Sequence, residues 1–167
     1  MPLEPNSVRM VAVVGGDPCT EEEADFAEAL ARLLPERGLG VVTGGLGGVM
    51  EAACRGAREA GGLTVGILPG ANPGAANPFV EVAVPTGMGE LRNGLVVRAA
   101  EVVVAVGGEY GTLSEIALAL KAGKPVIGWR TWNLDRRPQG AQSIIAVTSA
   151  EEAAEKVGQA LTSDGVS

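Results

Sequence analysis

Residues Glu101–Glu115 read EVVVAVGGEYGTLSE: an unbroken apolar, β-branched run, a glycine pair, then a helix-forming stretch that continues to Ala122. A strand that lacks polar alternation is one buried on both faces, as in a parallel sheet covered by helices. The same order recurs outward from this segment. Val8–Val14 (VRMVAVV) precedes Gly15-Gly16, and Gly40–Thr43 (GVVT) precedes Gly44-Gly45-Leu46-Gly47-Gly48. Leu63–Leu68, Val80–Val84, Pro125–Trp129 and Ser143–Val147 supply further strands. Between them lie helices predicted over Thr20–Leu34, Gly47–Ala60, Gly89–Ala99, Thr112–Ala122 and Ser149–Leu161, with Thr20 and Glu23 forming a capping box. Pro69–Pro78 and Arg130–Gly140 read as loops, and Thr162–Ser167 as a frayed tail. Strand–helix alternation requires right-handed crossovers. The expected fold is α/β: a single doubly wound Rossmann-like domain over residues 1–167, with a mostly parallel sheet and helices on both faces.

Composition narrows the chemistry. The 167 residues are 46 % hydrophobic and 20 % charged, a globular balance, but only 3 % aromatic, so the core must be aliphatic. Twenty-five glycines are about twice the usual share of roughly 7 %. The absence of histidine excludes His-based catalytic triads and imidazole metal ligands. Cys19 and Cys54 form no CxxC motif, which argues against zinc and thioredoxin-like chemistry. No metal or resident cofactor is expected. A net charge of −7 works against a nucleic-acid partner. No apolar run reaches the length of a membrane span, and no signal-peptide core follows Met1, so no membrane partner and a cytoplasmic location are expected.

In a doubly wound sheet, ligands sit beyond the carboxyl ends of the strands. Three glycine clusters fall there: Gly15-Gly16, Gly44 to Gly48, and Gly107-Gly108 with Gly111-Thr112. Each either makes a tight strand-to-helix turn or lets backbone approach a phosphate at a helix start. Three at one edge favour the ligand. The clusters are neither GxGxxG followed by an acidic residue closing the second strand nor a P-loop, which weighs against NAD and ATP.

Arg92, in GMGELRNG, and Glu115, one turn into its helix, project toward the same crevice. They form either a structural ion pair or a guanidinium and carboxylate that bind a ribose phosphate and polarise a hydroxyl or water. Glu51 near its helix start either complements the dipole or contacts a ligand hydroxyl. Arg98, Arg136 and Arg137 read as solvated, Trp129 as core and Trp132 as rim, while Tyr110 in its glycine loop is placed to stack on a base.

Thr43–Ala57 (TGGLGGVMEAACRGA) resembles the GGxxGxM segment of the Lonely Guy (LOG) proteins, long misnamed lysine decarboxylases, and Gly108–Glu115 (GEYGTLSE) resembles their second signature, PGGxGTxxE. The likeness spans about residues 8–130. None of Lys121, Lys124 and Lys156 sits in a glycine cluster, so decarboxylation by pyridoxal phosphate has no support. The resemblance implies a Rossmann-like homodimer, or higher homo-oligomer, that hydrolyses the N-glycosidic bond of nucleoside 5′-monophosphates to free base and ribose 5-phosphate, with a site partly shared across the interface. It carries catalytic roles onto Arg92 and Glu115 and a phosphate-cradling role onto Thr112. The ligand set expected around them is Gly15, Gly16, Gly44, Gly45, Gly47, Gly48, Glu51, Asn93, Gly108 and Gly111.

Three departures point to a neighbouring branch. Gly107 stands at the motif's proline, Glu109 at its second glycine, and Asn93 at the lysine after the arginine. A carboxylate within about 5 Å of a phosphate costs on the order of 1 kcal/mol or more in a partly screened site, so Glu109 must point away or weaken phosphate binding. That branch contains the molybdenum cofactor carrier proteins, which bind a pterin phosphate without turning it over. The same superfamily shape also resembles the Rossmann part of DNA-processing protein A, a single-strand DNA binder, a role that an acidic, aromatic-poor chain argues against. Hydrolysis is the first expectation, and carriage of a phosphorylated ligand the alternative.

Overall fold

The computed structural model describes residues 8–163. Seven strands form one parallel sheet: β1 (Arg9–Gly15), β2 (Leu39–Thr43), β3 (Thr64–Leu68), β4 (Val82–Pro85), β5 (Val102–Val106), β6 (Val126–Trp129) and β7 (Ile145–Ala146). Five helices connect them: α1 (Glu21–Leu33), α2 (Val49–Glu59), α3 (Asn93–Ala99), α4 (Tyr110–Lys121) and α5 (Ala150–Ser163). The strand order is β4-β3-β2-β1-β5-β6-β7. The chain therefore winds outward from β1 to β4, returns to lay β5 against β1, and winds out the other way. Val14 pairs with Ala105 and Gly15 with Val106, which sets the reversal of winding between the carboxyl ends of β1 and β5.

Both sheet faces are covered, as the continuous valine runs require. On one, Val11, Val13, Val41, Val102 and Val104 pack against Phe26 and Leu30 of α1, Ala53 of α2 and Val157 of α5. On the other, Ala12, Val14, Val42, Val103 and Ala105 meet Val96 of α3 and Ile116 of α4. Trp129 is buried and stacks on Phe26 with centroids 4.6 Å apart, one of the few aromatic contacts in the core.

The doubly wound α/β architecture expected from the sequence is present, with local corrections. The Thr20–Glu23 capping box forms as read, with both bonds made. The helix expected over Gly89–Ala99 opens as a 3₁₀ turn at Gly89–Arg92, because Gly87 and Gly89 hold positive φ angles of 63° and 59°, and α3 begins only at Asn93. Helix α4 starts two residues before Thr112, since the Leu113 amide already donates to the Glu109 carbonyl. The last strand shrinks to Ile145–Ala146, an exposed edge pair that reaches only β6. Thr162 and Ser163 belong to α5, where their hydroxyls donate to the Gln159 carbonyl. The rest of the expected tail, and Met1, lie outside the described residues. No helix among the described residues is long and apolar enough to cross a membrane.

Candidate functional site

Three helices start at the carboxyl edge beside the winding reversal, and the chain treats them differently. Helix α1 is closed by its own capping box. At α2 the Val49 amide donates to the Gly16 carbonyl at 3.1 Å, and the preceding Gly47 amide donates to Asp17 Oδ2 at 3.2 Å. Gly48 has φ +62°, and a Cβ there would lie 2.2 Å from the Gly16 carbonyl oxygen, so this glycine is fixed by the close approach of two backbones. At α4 the N-cap residue Glu109 makes no side-chain cap, and the amides of Tyr110, Gly111 and Thr112 find no acceptor among the described residues. An uncapped helix start directs free N–H groups and the positive end of its dipole outward.

That start opens into a crevice of about 230 Å³. Its floor is the end of β1, Val13 to Asp17; its walls are Gly44, Met50, Arg92 and Asn93 on one side and Glu109, Gly111, Thr112 and Glu115 on the other.

Arg92 is 9 % exposed and held on three sides: Nε donates to the Ile67 carbonyl at 2.9 Å, Nη2 to the Gly44 carbonyl at 3.4 Å, and Nη1 to Asn93 Oδ1. A guanidinium has five N–H donors, so two remain for the crevice. Burial lowers the Arg92 pKa, opposed by Glu115 and Glu90. Gly44 makes room for this arrangement, since a Cβ there would lie 2.5 Å from Arg92 Nη2.

Glu115 is 7 % exposed and accepts no hydrogen bond among the described residues. Burial pushes its pKa up to about 8, with Arg92 pulling the other way. At neutral pH the carboxyl is therefore mostly protonated and offers an O–H donor. Thr112, 4 % exposed, sits on the first turn of α4 between these groups and the free amides.

Of the expected ligand set, the fold brings Gly15, Gly16, Gly44, Arg92, Asn93, Gly111, Thr112 and Glu115 to one crevice. Gly45, Gly47, Gly48, Glu51 and Gly108 are not on its walls. Gly45 turns toward Leu68, Gly47 and Gly48 close the α2 start, and Gly108 packs on Thr112 beside a neighbouring hollow. Glu51 lies in the first turn of α2, where a carboxylate complements the helix dipole. Glu109 is exposed at the crevice wall, and its carbonyl accepts from Trp132 Nε1. Arg98, Arg136 and Arg137 are exposed and off the crevice, and Tyr110 stacks on Trp132. Asp17 and Met50 also line the crevice: Met50 is the methionine of the GGxxGxM segment, whereas no motif marks Asp17, whose only signal is its place directly after Gly15-Gly16. No group of three or more His, Cys, Asp or Glu side chains suited to a metal occurs among the described residues.

The family model for the SLOG cluster4 family matches residues 8–161. The chain belongs to that family. It is a LOG-like family, as the two glycine signatures indicated. An uncharacterized protein of Archaeoglobus fulgidus is 44 % identical over 116 residues, covering 70 % of this chain and 76 % of that one. Among solved structures, the molybdenum cofactor binding protein of Rippkaea orientalis shares 34 % identity and a TM-score of 0.79, over 93 % of this chain and 97 % of that one. The molybdenum cofactor carrier protein of Chlamydomonas reinhardtii shares 32 % identity and a TM-score of 0.81, over 92 % and 99 %. The neighbouring branch indicated by Gly107, Glu109 and Asn93 is thus represented among the structural relatives of this SLOG cluster4 protein.

Proposed function

We propose that this protein binds a phosphorylated heterocycle of the pterin phosphate class in the β1–β5 crevice and holds it intact, as a carrier. The observation that carries the reading is the open α4 start beside an anchored guanidinium. The amides of Gly111 and Thr112 and the two free Arg92 donors meet one small space, the arrangement a phosphate needs. The likeness to molybdenum cofactor binding proteins at over 30 % identity along nearly whole chains supports the ligand class.

Glu115, its pKa raised by burial, fits storage as a hydrogen-bond donor to the bound ligand. A bound phosphate dianion raises its pKa further. The second reading, hydrolysis of nucleoside 5′-monophosphates, is favoured by the joint presence of Arg92, Thr112 and Glu115 at the positions of the Lonely Guy signatures, with Glu115 then acting as proton donor to the leaving base.

The deciding experiment incubates the protein with a panel of nucleoside 5′-monophosphates and, separately, with molybdenum cofactor. The carrier reading expects no free base from any nucleotide and slowed oxidation of the cofactor. Base release that is lost in both Arg92→Ala and Glu115→Gln would instead establish the hydrolase. A homodimer fits the same reading: Leu91, Tyr110 and Leu118 are exposed along the outer α3–α4 face, next to the Arg92–Asn93 wall of the crevice. Sedimentation at micromolar protein is expected to give twice the chain mass, and a monomer would remove the dimer.

A further inference from the structure

Asn93 lies 8 % exposed at the first residue of α3, directly after the 3₁₀ turn that delivers Arg92. Its two amide ends face different partners. Oδ1 accepts from Arg92 Nη1, while Nδ2 donates to Ser114 Oγ at 3.3 Å. The Ser114 hydroxyl in turn donates to the Gly111 carbonyl at 2.6 Å. Arg92, Asn93, Ser114 and Gly111 thus form one continuous chain of hydrogen bonds from the guanidinium to the first turn of α4. Both ends of that chain are crevice walls, as is Asn93 itself.

We infer that Asn93 is a positioning residue, which together with Ser114 fixes the Arg92 guanidinium relative to the α4 amides so that both address one anion. The inference rests on the reading of Arg92 and α4 as the anion site. Its physical basis is the chemistry of a carboxamide, which accepts at one end and donates at the other. A lysine at 93 has no acceptor for Nη1, and a carboxylate has no donor for Ser114. Without Asn93 the planar guanidinium is held only along its Nε–Nη2 edge, by the Ile67 carbonyl at 2.9 Å and the Gly44 carbonyl at 3.4 Å, so the whole plane can tilt and the Nε bond loosens with it. Asn93 fixes the remaining edge, and it does so from the element that also touches α4.

The test needs no ligand, so its failure is distinguishable from failure of the carrier reading, which the nucleotide and cofactor incubations decide. Two readouts are taken on the whole protein by NMR. One is hydrogen exchange of the Arg92 Nε–H, assigned by its loss in Arg92→Lys. The other is the titration midpoint of the Glu115 carboxyl, which faces Arg92 and shares its crevice with Asp17 and Glu109. In Asn93→Ala the Nε–H is expected to exchange roughly tenfold faster. The Glu115 midpoint is expected to rise, because a guanidinium that swings away no longer favours the carboxylate. Ser114→Ala, a change at an exposed position that folding tolerates, is expected to move both readouts in the same direction and roughly threefold in exchange. A merely structural Asn93 would lower the melting temperature and leave both site readouts where they are in the folded protein. Unchanged exchange and midpoint in Asn93→Ala overturn the inference. Should that variant not fold, unchanged values in Ser114→Ala overturn it equally.

Discussion

The starts of α2 and α4 are written alike in the sequence, each a buried strand, paired glycines and then a helix, yet the folded chain uses them in opposite ways. At α2 the protein supplies its own acceptors: the Gly16 carbonyl for Val49 and the Asp17 carboxylate for Gly47. At α4 nothing among the described residues fills that role, and Arg92, Thr112 and Glu115 surround the opening. A glycine-rich helix start is therefore not in itself a phosphate site. What decides is whether a neighbouring loop closes it, and that loop comes from another strand.

The same methyl group placed at both starts is expected to act very differently. Gly48→Ala sets a Cβ 2.2 Å from the Gly16 carbonyl oxygen at positive φ, and is expected to cost about 3 kcal/mol or more of unfolding free energy. In Gly111→Ala the nearest atom is Asn93 Nδ2 at 4.0 Å, an ordinary contact, and the cost is expected to stay below about 1 kcal/mol. Urea denaturation of the two variants checks this, and equal costs would erase the distinction.

The buried carboxyl gives the next largest effect. Glu115 has a folded pKa of about 8, above the usual glutamate value, so its contribution to stability is complete below about pH 4.5 and is lost as pH rises through 8. A tenfold difference in proton affinity between folded and unfolded chain corresponds to about 1.4 kcal/mol. Glu115→Gln is expected to remove this decline and to exceed the parent in stability at pH 9, by on the order of a few kcal/mol. Glu28 and Glu152, whose pKa values are lowered, act at the acid end in both proteins, so the difference between the two curves isolates position 115. Parallel curves would show that Glu115 is solvated.

Smaller effects are expected at the crevice walls. Gly44→Ala would push a Cβ to 2.5 Å from Arg92 Nη2 and is expected to turn the guanidinium away. Affinity for a phosphorylated ligand should then fall about tenfold, roughly 1.4 kcal/mol, in a calorimetric titration of folded protein. Smallest is Asp17→Ala, which frees the Gly47 amide at the α2 start at a cost of about 0.5–1 kcal/mol. By removing a carboxylate from the crevice wall it should also tighten anion binding about twofold at low salt. Weakened binding would make Asp17 a ligand contact.

The fold was legible because two-sided burial leaves an unmistakable trace: Val11–Val14 and Val102–Val106 carry no polar alternation, and both became central strands. Local capping chemistry was equally readable at Thr20 and Glu23. Boundaries failed where glycine conformation or edge position decided them, as at Gly87–Gly89 and Ile145–Ala146. In the site, the convergence of Arg92 and Glu115 followed from their place at the carboxyl edge. The separation of Gly47 and Gly48 from the crevice did not, because it depends on Gly16 and Asp17 folding across them. The tie from Arg92 through Asn93 to Ser114 is likewise a contact between two helices, and no spacing within either one encodes it.

Everything proposed for the crevice depends on α4, not α2, presenting the anion site. A titration of ¹⁵N-labelled protein with inorganic phosphate at low salt tests it directly. The amides of Tyr110, Gly111 and Thr112 and the side-chain Nε–H of Arg92 are expected to shift together along one saturating curve, with Gly47 and Val49 unmoved. Saturating shifts at Gly47 and Val49 with α4 silent would contradict it.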